Sequence, residues 1–481
     1  MSQREKKWTT IQRLKHFTLL DLRILLAGLL NFTSSIGYIR GFTVLVKPLK
    51  EHLQSTDKSV ALIPSFLLLG LALAGLFIGY FIPKYGNRNL VLLSGLISMA
   101  GSFLFTYLIK LKFLISAYVV MFLFIGIPEG FSLTCCFDAS RKFGTKRVSG
   151  MTMTLQSAGV SVGAFILPPL YKIALNRTNS IILTCYLIAG FQKGFNIVAG
   201  ILLPRDSPSY FERRKRKDQQ RQQQLEQHRD ELNTEVVLAL TAFDGKLKEP
   251  IAEKPKFFSK SLFLTPYYYT FLIGISLFLL GYFSTIPFIK SLLTAYQLTE
   301  SQISILLLLL GIIEICSRLI YAIFLVDAFN PINLLSLGFI GDGLGCFLLC
   351  VVIFFQTYLI KYKIIILYVG IFVYGFFNAG FGGVMNATLI KIVPAQQFSV
   401  GLGMYQLIMG FGNSLGPLLG GSIVDATRLI SGGNGTQLTE NQTGEIYLYE
   451  DPYWATFMFS CCCCMVPAGC VIILLKRWFP D

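Results

Sequence analysis

The sequence predicts an all-α integral membrane protein whose twelve transmembrane helices form two six-helix bundles. Hydrophobic residues make up 53% of the 481 residues and charged residues only 14%, whereas soluble domains carry about 25% charged residues. Apolar runs close to the roughly 20 residues that a membrane helix needs alternate with short polar loops, and one long polar gap separates two sets of six runs. So few charges cannot coat a water-facing surface of this size, which excludes soluble globular and disordered chains.

The apolar runs and the polar segments between them divide the chain into five parts. The predicted spans are residues 22–46, 59–82, 89–109, 112–137, 148–171, 180–203, 263–289, 301–326, 331–355, 363–386, 396–424 and 453–475. The first six spans form a bundle over 22–203, and the last six form a bundle over 263–475. Residues 1–21 and 476–481 are tails, and residues 204–262 form a basic, Gln-rich linker. Its composition is typical of solvated, partly helical chain rather than of a folded domain.

The distribution of basic residues predicts the orientation of the chain in the membrane. The net charge is +16, but the lysines and arginines lie mainly between apolar runs, which favours an orientation signal over nucleic-acid binding. They are concentrated in both tails, the linker and the loops on the same side, which predicts that these segments are cytoplasmic. Asn176, Asn434 and Asn441 begin glycosylation sequons in loops that this topology places outside. We therefore predict a glycosylated, multi-pass plasma-membrane protein with both termini cytoplasmic and no nucleic-acid partner.

The sequence contains no recognisable metal-binding or enzyme motif. All 11 cysteines lie in apolar stretches, and none stands at metal-ligand spacing from a histidine. His16, His52 and His228 lie outside the spans, and the chain has no phosphate-binding P-loop motif. We expect no metal site, no cofactor apart from a coupled proton, and no enzymatic activity.

Glycines recur in the same order in the two halves of the chain. Gly159 and Gly163 in span 5 reappear at a constant offset as Gly412 and Gly416 in span 11. Several matches in order indicate a duplicated six-helix unit. A spacing of four residues places small side chains along one helix face, where another helix can approach closely. We therefore predict that these glycines serve helix packing.

Four stretches carry a resemblance to a known family. They are residues 79–88 between spans 2 and 3, residues 141–147 entering span 5, residues 199–204 ending span 6, and residues 416–420 in span 11. They resemble the major facilitator superfamily and, within it, the monocarboxylate transporter family. The resemblance implies two bundles that rock about a central cavity and secondary transport of a small organic anion.

Two charged residues within span 8 form the strongest candidate site. A charge within a span costs roughly 2.5–3.5 kcal/mol on insertion scales unless it is paired or hydrated. Glu314 and Arg318 are four residues apart and share one helix face, and the monocarboxylate transporters have a similar acid-x-x-x-Arg pair in span 8. We expect Arg318 to bind the substrate carboxylate, with Glu314 controlling the arginine by protonation or partner exchange. The alternative is a structural ion pair between helices.

Five other residues are candidates for the cavity. Arg40 would offer a second, bidentate cation to an anionic head group, or would extend toward the outer headgroups. Glu129 would relay protons, hold a cationic group, or pair with a basic residue across the bundle. Asn31, Asn378 and Phe381 are expected to line the substrate site, although such residues also serve helix packing.

Two more charged residues lie mid-span, Lys193 in span 6 and Asp342 in span 9. The corresponding helices are peripheral in the superfamily that the sequence resembles. The expectation for both residues is therefore structural pairing or a role at the lipid interface.

Together these features predict secondary transport of a small organic anion, most of all a monocarboxylate, by alternating access. Two alternatives stay open: a neutral or zwitterionic, aromatic or amino-acid-like substrate, and a non-transporting sensor or scaffold of the same fold. The expected partners are the anion and the lipid bilayer, and a single-span accessory glycoprotein is a further candidate.

The sequons give a testable prediction about topology. In cells with a secretory pathway, the loop over residues 427–452 should carry N-linked glycans at Asn434 and Asn441. A variant with Gln at both positions and at Asn176 should migrate on a gel like the glycosidase-treated wild type. Protease cleavage of this loop from the cytoplasmic side alone would contradict the orientation.

Overall fold

The structure is a computed structural model that describes most of both halves of the chain. The described residues are 17–42, 44–55, 57–145, 148–205, 265–326, 329–354, 362–394, 397–430 and 453–478. The sequons at Asn434 and Asn441 and almost the whole of the linker lie outside these ranges.

Within the described ranges the chain forms twelve long helices, α1 to α12. Their bounds are α1, Leu19–Ser34 and Ile36–Phe42; α2, Asp57–Tyr85; α3, Asn87–Lys110; α4, Leu114–Val120, the π-helical Met121–Gly126 and Ile127–Phe143; α5, Ser149–Thr178; α6, Ile181–Leu202; α7, Pro266–Thr285, Ile286–Phe288 and Ile289–Ala295; α8, Glu300–Ile320 and the π-helical Tyr321–Leu325; α9, Pro331–Phe354; α10, Lys363–Ile392; α11, Phe398–Ile430; and α12, Tyr453–Trp478. Eleven of these described helices are long and apolar enough to cross a membrane, and α12 has a shorter apolar stretch, Tyr453–Val466.

Local sequence explains where α1 begins and why α2 and α3 reverse direction. The Thr18 side chain accepts a hydrogen bond from the Asp21 N–H, and the Asp21 carboxylate accepts one from the Thr18 N–H, forming a capping box. Gly86 between α2 and α3 has a φ of 79°, in the left-handed region that glycine adopts without strain. Both features lie at the membrane face where α1 begins. We call this the proximal face and the opposite one the distal face.

The helices pack as two bundles with the same arrangement. In the N-terminal bundle α1 packs against α5, α2 against α4, and α3 against α6. In the C-terminal bundle α7 packs against α11, α8 against α10, and α9 against α12. These pairs correspond one to one when six is added to each helix number. The predicted fold class, twelve helices in two six-helix bundles, is confirmed.

The predicted glycines lie where α5 and α11 pack within their own bundles. A Cβ at Gly159 would lie 2.4 Å from the Leu29 carbonyl oxygen of α1. A Cβ at Gly416 would lie 2.7 Å from Phe283 Cβ of α7. Both distances are too short for any side chain, so the backbones approach as closely as the spacing predicts. Close contact at glycines therefore packs α1 against α5 and α7 against α11.

The two bundles meet in the half of the protein nearest the proximal face. A Cβ at Gly75 of α2 would lie 2.2 Å from the carbonyl oxygen of Gly403 in α11. Gln406 Nε2 donates hydrogen bonds to carbonyl oxygens of α2 and α4, at 3.0 Å each. The Ser399 hydroxyl at the start of α11 donates to Asp138 Oδ1 of α4 at 2.8 Å. These contacts close the proximal side of the interface.

The glycine contacts give a prediction about stability. Gly159→Ala should destabilise the protein, because the new Cβ would also lie 2.8 Å from Phe32 Cβ and overpacking costs about 1–3 kcal/mol. Gly194→Ala is the matched control, since nothing lies within 4 Å of a Cβ there and alanine favours helix by about 1 kcal/mol. Thermal unfolding of the purified variants in detergent measures both effects. Equal melting temperatures would contradict the role of Gly159 in packing.

Candidate functional site

The site predicted in span 8 lies on the face of α8 that meets α5 of the other bundle. Glu314 is 1% exposed and Arg318 is 6% exposed. Ser161 of α5 links the two charges: its hydroxyl donates to Glu314 Oε2 at 3.2 Å and accepts from Arg318 Nε at 2.9 Å. The acid and the arginine are therefore bridged by a residue of the N-terminal bundle.

A second serine of α5 holds the other edge of the guanidinium. Arg318 Nη1 donates to the Ser157 carbonyl oxygen at 2.9 Å and to its hydroxyl at 3.0 Å. A Cβ at Gly382 of α10 would lie 3.2 Å from Arg318 Nη1, so this glycine leaves room for the guanidinium. Arg318 thus belongs to the C-terminal bundle but bonds to the N-terminal one.

The spacing along α5 explains how one helix serves two interfaces. Ser157 and Ser161 are four residues apart, so they share a helix face, and this face meets α8. Gly159 and Gly163 are also four residues apart, and they face α1. Sequence reasoning missed both serines, because the signal for them is only that they flank the glycines at the same spacing.

A comparison with known sequences assigns the family. Residues 24–362 and 271–431 match the profile of the Major Facilitator Superfamily. The chain belongs to this superfamily. It is accordingly a multi-pass membrane transporter and not an enzyme, and members of this superfamily generally need no cofactor.

Individual relatives and solved structures agree with this assignment. The chain is 24% identical over 414 residues to monocarboxylate transporter 2 of Meriones unguiculatus, covering 83% of this chain and 77% of that protein. The structure of the proton:xylose symporter XylE has a TM-score of 0.63 at 14% identity, covering 96% of this chain and 95% of XylE. That of the human organic anion transporter MFSD10 (TETRAN) has a TM-score of 0.60 at 14% identity, covering 95% and 99%. At such identities the two structures show the fold alone.

Two of the residues predicted to line the cavity, Asn31 and Asn378, form hydrogen bonds within their own bundles. The Asn31 amide donates to the Ser132 hydroxyl of α4, and Asn31 is fully buried. The Asn378 amide donates to Asp342 Oδ1 of α9 at 3.1 Å. The side chains of Arg40 and Phe381 lie outside the described part of the structure. Substrate binding by these four residues stays a prediction.

Glu129 of α4 forms an ion pair with Lys193 of α6. Both side chains are buried, and Lys193 Nζ also lies 3.5 Å from the Ser34 carbonyl oxygen and 5.1 Å from the centre of the Tyr38 ring. The pair is internal to the N-terminal bundle, which agrees with structural pairing of Lys193 across the bundle. A role of Glu129 in proton coupling stays a prediction.

Asp342 is buried among helices rather than facing lipid. It is 0% exposed, and besides Asn378 it accepts a hydrogen bond from the Cys464 thiol of α12 at 3.3 Å. The lipid-interface role considered for Asp342 is therefore wrong. Among the described residues, no three His, Cys, Asp or Glu side chains are grouped so that they could hold a metal ion.

A small cavity lies between the bundles where α1 and α4 meet α11. It is lined by Phe32, Ile36, Leu133, Phe137, Leu402, Tyr405, Gln406 and Met409. Seven of these eight side chains are apolar or aromatic, so the groups that face one another across this part of the interface are mainly apolar.

The ion pair in the N-terminal bundle gives a prediction about stability. Lys193→Met strands the Glu129 carboxylate in the bundle, and breaking a buried pair in this way costs about 3–5 kcal/mol. The double variant Glu129→Gln, Lys193→Met removes both charges and should recover most of the lost stability. Thermal unfolding of the purified proteins measures this. A single variant as stable as the wild type would show that the pair is not structural. Substrate accumulation driven by a pH gradient, if the double variant retained it, would exclude Glu129 from proton coupling.

Proposed function

We propose that this transporter carries small organic anions, monocarboxylates above all, by alternating access between the two bundles. The observation that carries the proposal is the buried guanidinium of Arg318 at the interface, bonded to Ser157 and Ser161. Arginine presents a planar fork of donors that matches the two oxygens of a carboxylate. The match to monocarboxylate transporter 2 supports the same substrate class.

Substrate binding at Arg318 would loosen the contact between the bundles. The serine hydroxyls and the carbonyl that accept from Arg318 are neutral, and a carboxylate is the stronger acceptor for a cationic donor. Exchange of these acceptors for substrate would release α8 from α5 at the proximal side. Glu314 would leave Ser161 in the same step, by protonation or by a change of partner. This links anion binding to the rocking motion.

The apolar side chains that line the interface beside α11 support a substrate with a hydrocarbon part, which they would contact once the bundles separate. These side chains include Phe32, Phe137 and Met409, and burial of apolar surface stabilises binding by about 25 cal/mol per Å². A short-chain or aromatic monocarboxylate would combine this contact with a single charged head group.

We also propose that the protein lies in the plasma membrane with its proximal face toward the cytoplasm. The concentration of Lys and Arg in the tails, the linker and the loops of the proximal face supports a cytoplasmic proximal face. Asn176 lies in the last turn of α5 rather than in the predicted loop. This sequon at the distal end of α5, with those at Asn434 and Asn441, supports a glycosylated plasma-membrane protein. The closed proximal side would then correspond to a protein that opens toward the outside of the cell.

Uptake into liposomes that contain the purified protein tests the substrate class. A screen of labelled monocarboxylates should give saturable uptake, and Arg318→Ala should reduce it about 10- to 100-fold, because hydrogen bonds to charged groups contribute about 1.5–3 kcal/mol. Arg23→Ala is the matched control, since Arg23 is an exposed arginine of α1 and should transport like the wild type.

Other outcomes separate the alternatives. Saturable uptake of a neutral or zwitterionic aromatic compound, unaffected by Arg318→Ala, would replace the anion by that substrate class. A correctly folded protein that transports no compound in the screen would favour a sensor or scaffold. Arg318→Lys distinguishes charge from geometry, since lysine keeps the charge but not the planar fork.

A further inference from the structure

Asp342 is an acid held by neutral groups in the middle of the C-terminal bundle. Its side chain is fully buried between α9, α10 and α12. Oδ1 accepts from the Asn378 amide at 3.1 Å, and Oδ2 accepts from the Cys464 thiol at 3.3 Å. Neither donor carries a charge, so neither compensates a charge on the carboxyl group.

The other two acids buried mid-span have cations near them. Glu129 pairs with Lys193, and Glu314 is linked to Arg318 through Ser161. In the described part of the chain no lysine or arginine forms an ion pair with Asp342. A carboxylate buried without a cation costs several kcal/mol, and such a group is neutralised by a proton instead.

The titratable groups around Asp342 come from four helices. They are Cys346 of α9, Tyr374 of α10, Cys461 and Cys464 of α12, and Glu314 of α8. Thiols and phenols are mostly neutral at physiological pH. Glu314 is the other carboxyl group of this set. Two carboxylates so placed would repel each other, and one proton on Asp342 removes this repulsion.

We infer that Asp342 is a proton-binding site, and that its proton is carried together with the anion bound at Arg318. The anion part of this inference rests on the proposed function, whereas proton binding by Asp342 does not. An incoming carboxylate adds one negative charge beside Glu314. The proton that Asp342 has taken from water balances that charge, and the anion and the proton return to water together when the proximal side opens. Because the two binding events are linked, each raises the affinity for the other by the same factor.

The transport test compares Asp342→Asn with Glu314→Gln in proteoliposomes. In the wild type, the substrate concentration for half-maximal uptake should fall as the external pH is lowered. Asp342→Asn resembles the protonated side chain in shape and charge, so this dependence should disappear. Accumulation driven by a pH gradient should fall at least tenfold, while exchange of labelled for unlabelled substrate continues. Glu314→Gln should keep the pH dependence of binding. The reverse pattern would assign the proton to Glu314 and overturn the inference.

A second variant tests the same group without removing it. Cys464→Ala takes one hydrogen-bond donor from the Asp342 carboxylate, which weakens the ionised form and should shift the midpoint of the pH profile to higher pH. Cys350→Ala is the matched control, because this thiol of α9 bonds to the Trp454 carbonyl oxygen of α12 instead. A shift of equal size in both variants would contradict the role of Asp342.

Infrared difference spectroscopy of the purified protein tests proton binding without any substrate. The spectrum between acidic and alkaline buffer should contain a band of a protonated carboxyl group that is lost in Asp342→Asn and kept in Cys350→Ala. If no monocarboxylate is transported but this band is found, the proposed substrate class fails and the proton site stands. If transport is found but the band survives in Asp342→Asn, the proton site fails and the substrate class stands.

Discussion

A charge buried among apolar helices has to be compensated, and this constraint determines which helices of the protein must be neighbours. Removing a charge from water costs several kcal/mol unless a partner is supplied. Lys193 obtains its partner from α4, so the charges of this pair cancel within the N-terminal bundle. Arg318 obtains its hydrogen bonds from α5, across the interface. The interface is therefore where a conformational change can alter the electrostatic energy.

The two bundles share one helix arrangement but contribute different chemical groups to the interface. The N-terminal bundle contributes two serines, several backbone carbonyls and, nearer the proximal face, the Asp138 carboxylate of α4. The C-terminal bundle contributes Arg318, Glu314 and, behind them, Asp342. Duplication of the helix arrangement thus did not duplicate the chemistry. Around Arg318 the N-terminal bundle supplies neutral acceptors, and the C-terminal bundle supplies the charges that we propose respond to a ligand.

Much of the fold and part of the candidate site could be predicted from the sequence. The features that could not be predicted have physical reasons. Hydropathy located the helices, and the recurring glycines predicted that α5 and α11 each pack closely against a neighbouring helix. Both predictions succeeded because hydropathy and glycine spacing are local properties of the sequence. The pair Glu314 and Arg318 stood out because charges within spans are costly. The serines of α5 did not, because a serine is common in a helix and acquires its role only from the helix opposite. Likewise, only the fold reveals that the Asn378 amide bonds to Asp342.

The contact of α2 with α11 has a consequence for how the bundles can move. At Gly75 and Gly403 backbone meets backbone, and at Gly410 a Cβ would lie 2.1 Å from the Ala72 Cβ. Side chains that interlock must change rotamer when one helix moves past another, whereas a strip of glycine and alanine has no rotamers to change. Movement of α11 along α2 at this strip therefore requires no rotamer change. The resistance to such movement comes from the hydrogen bonds on either side of the strip.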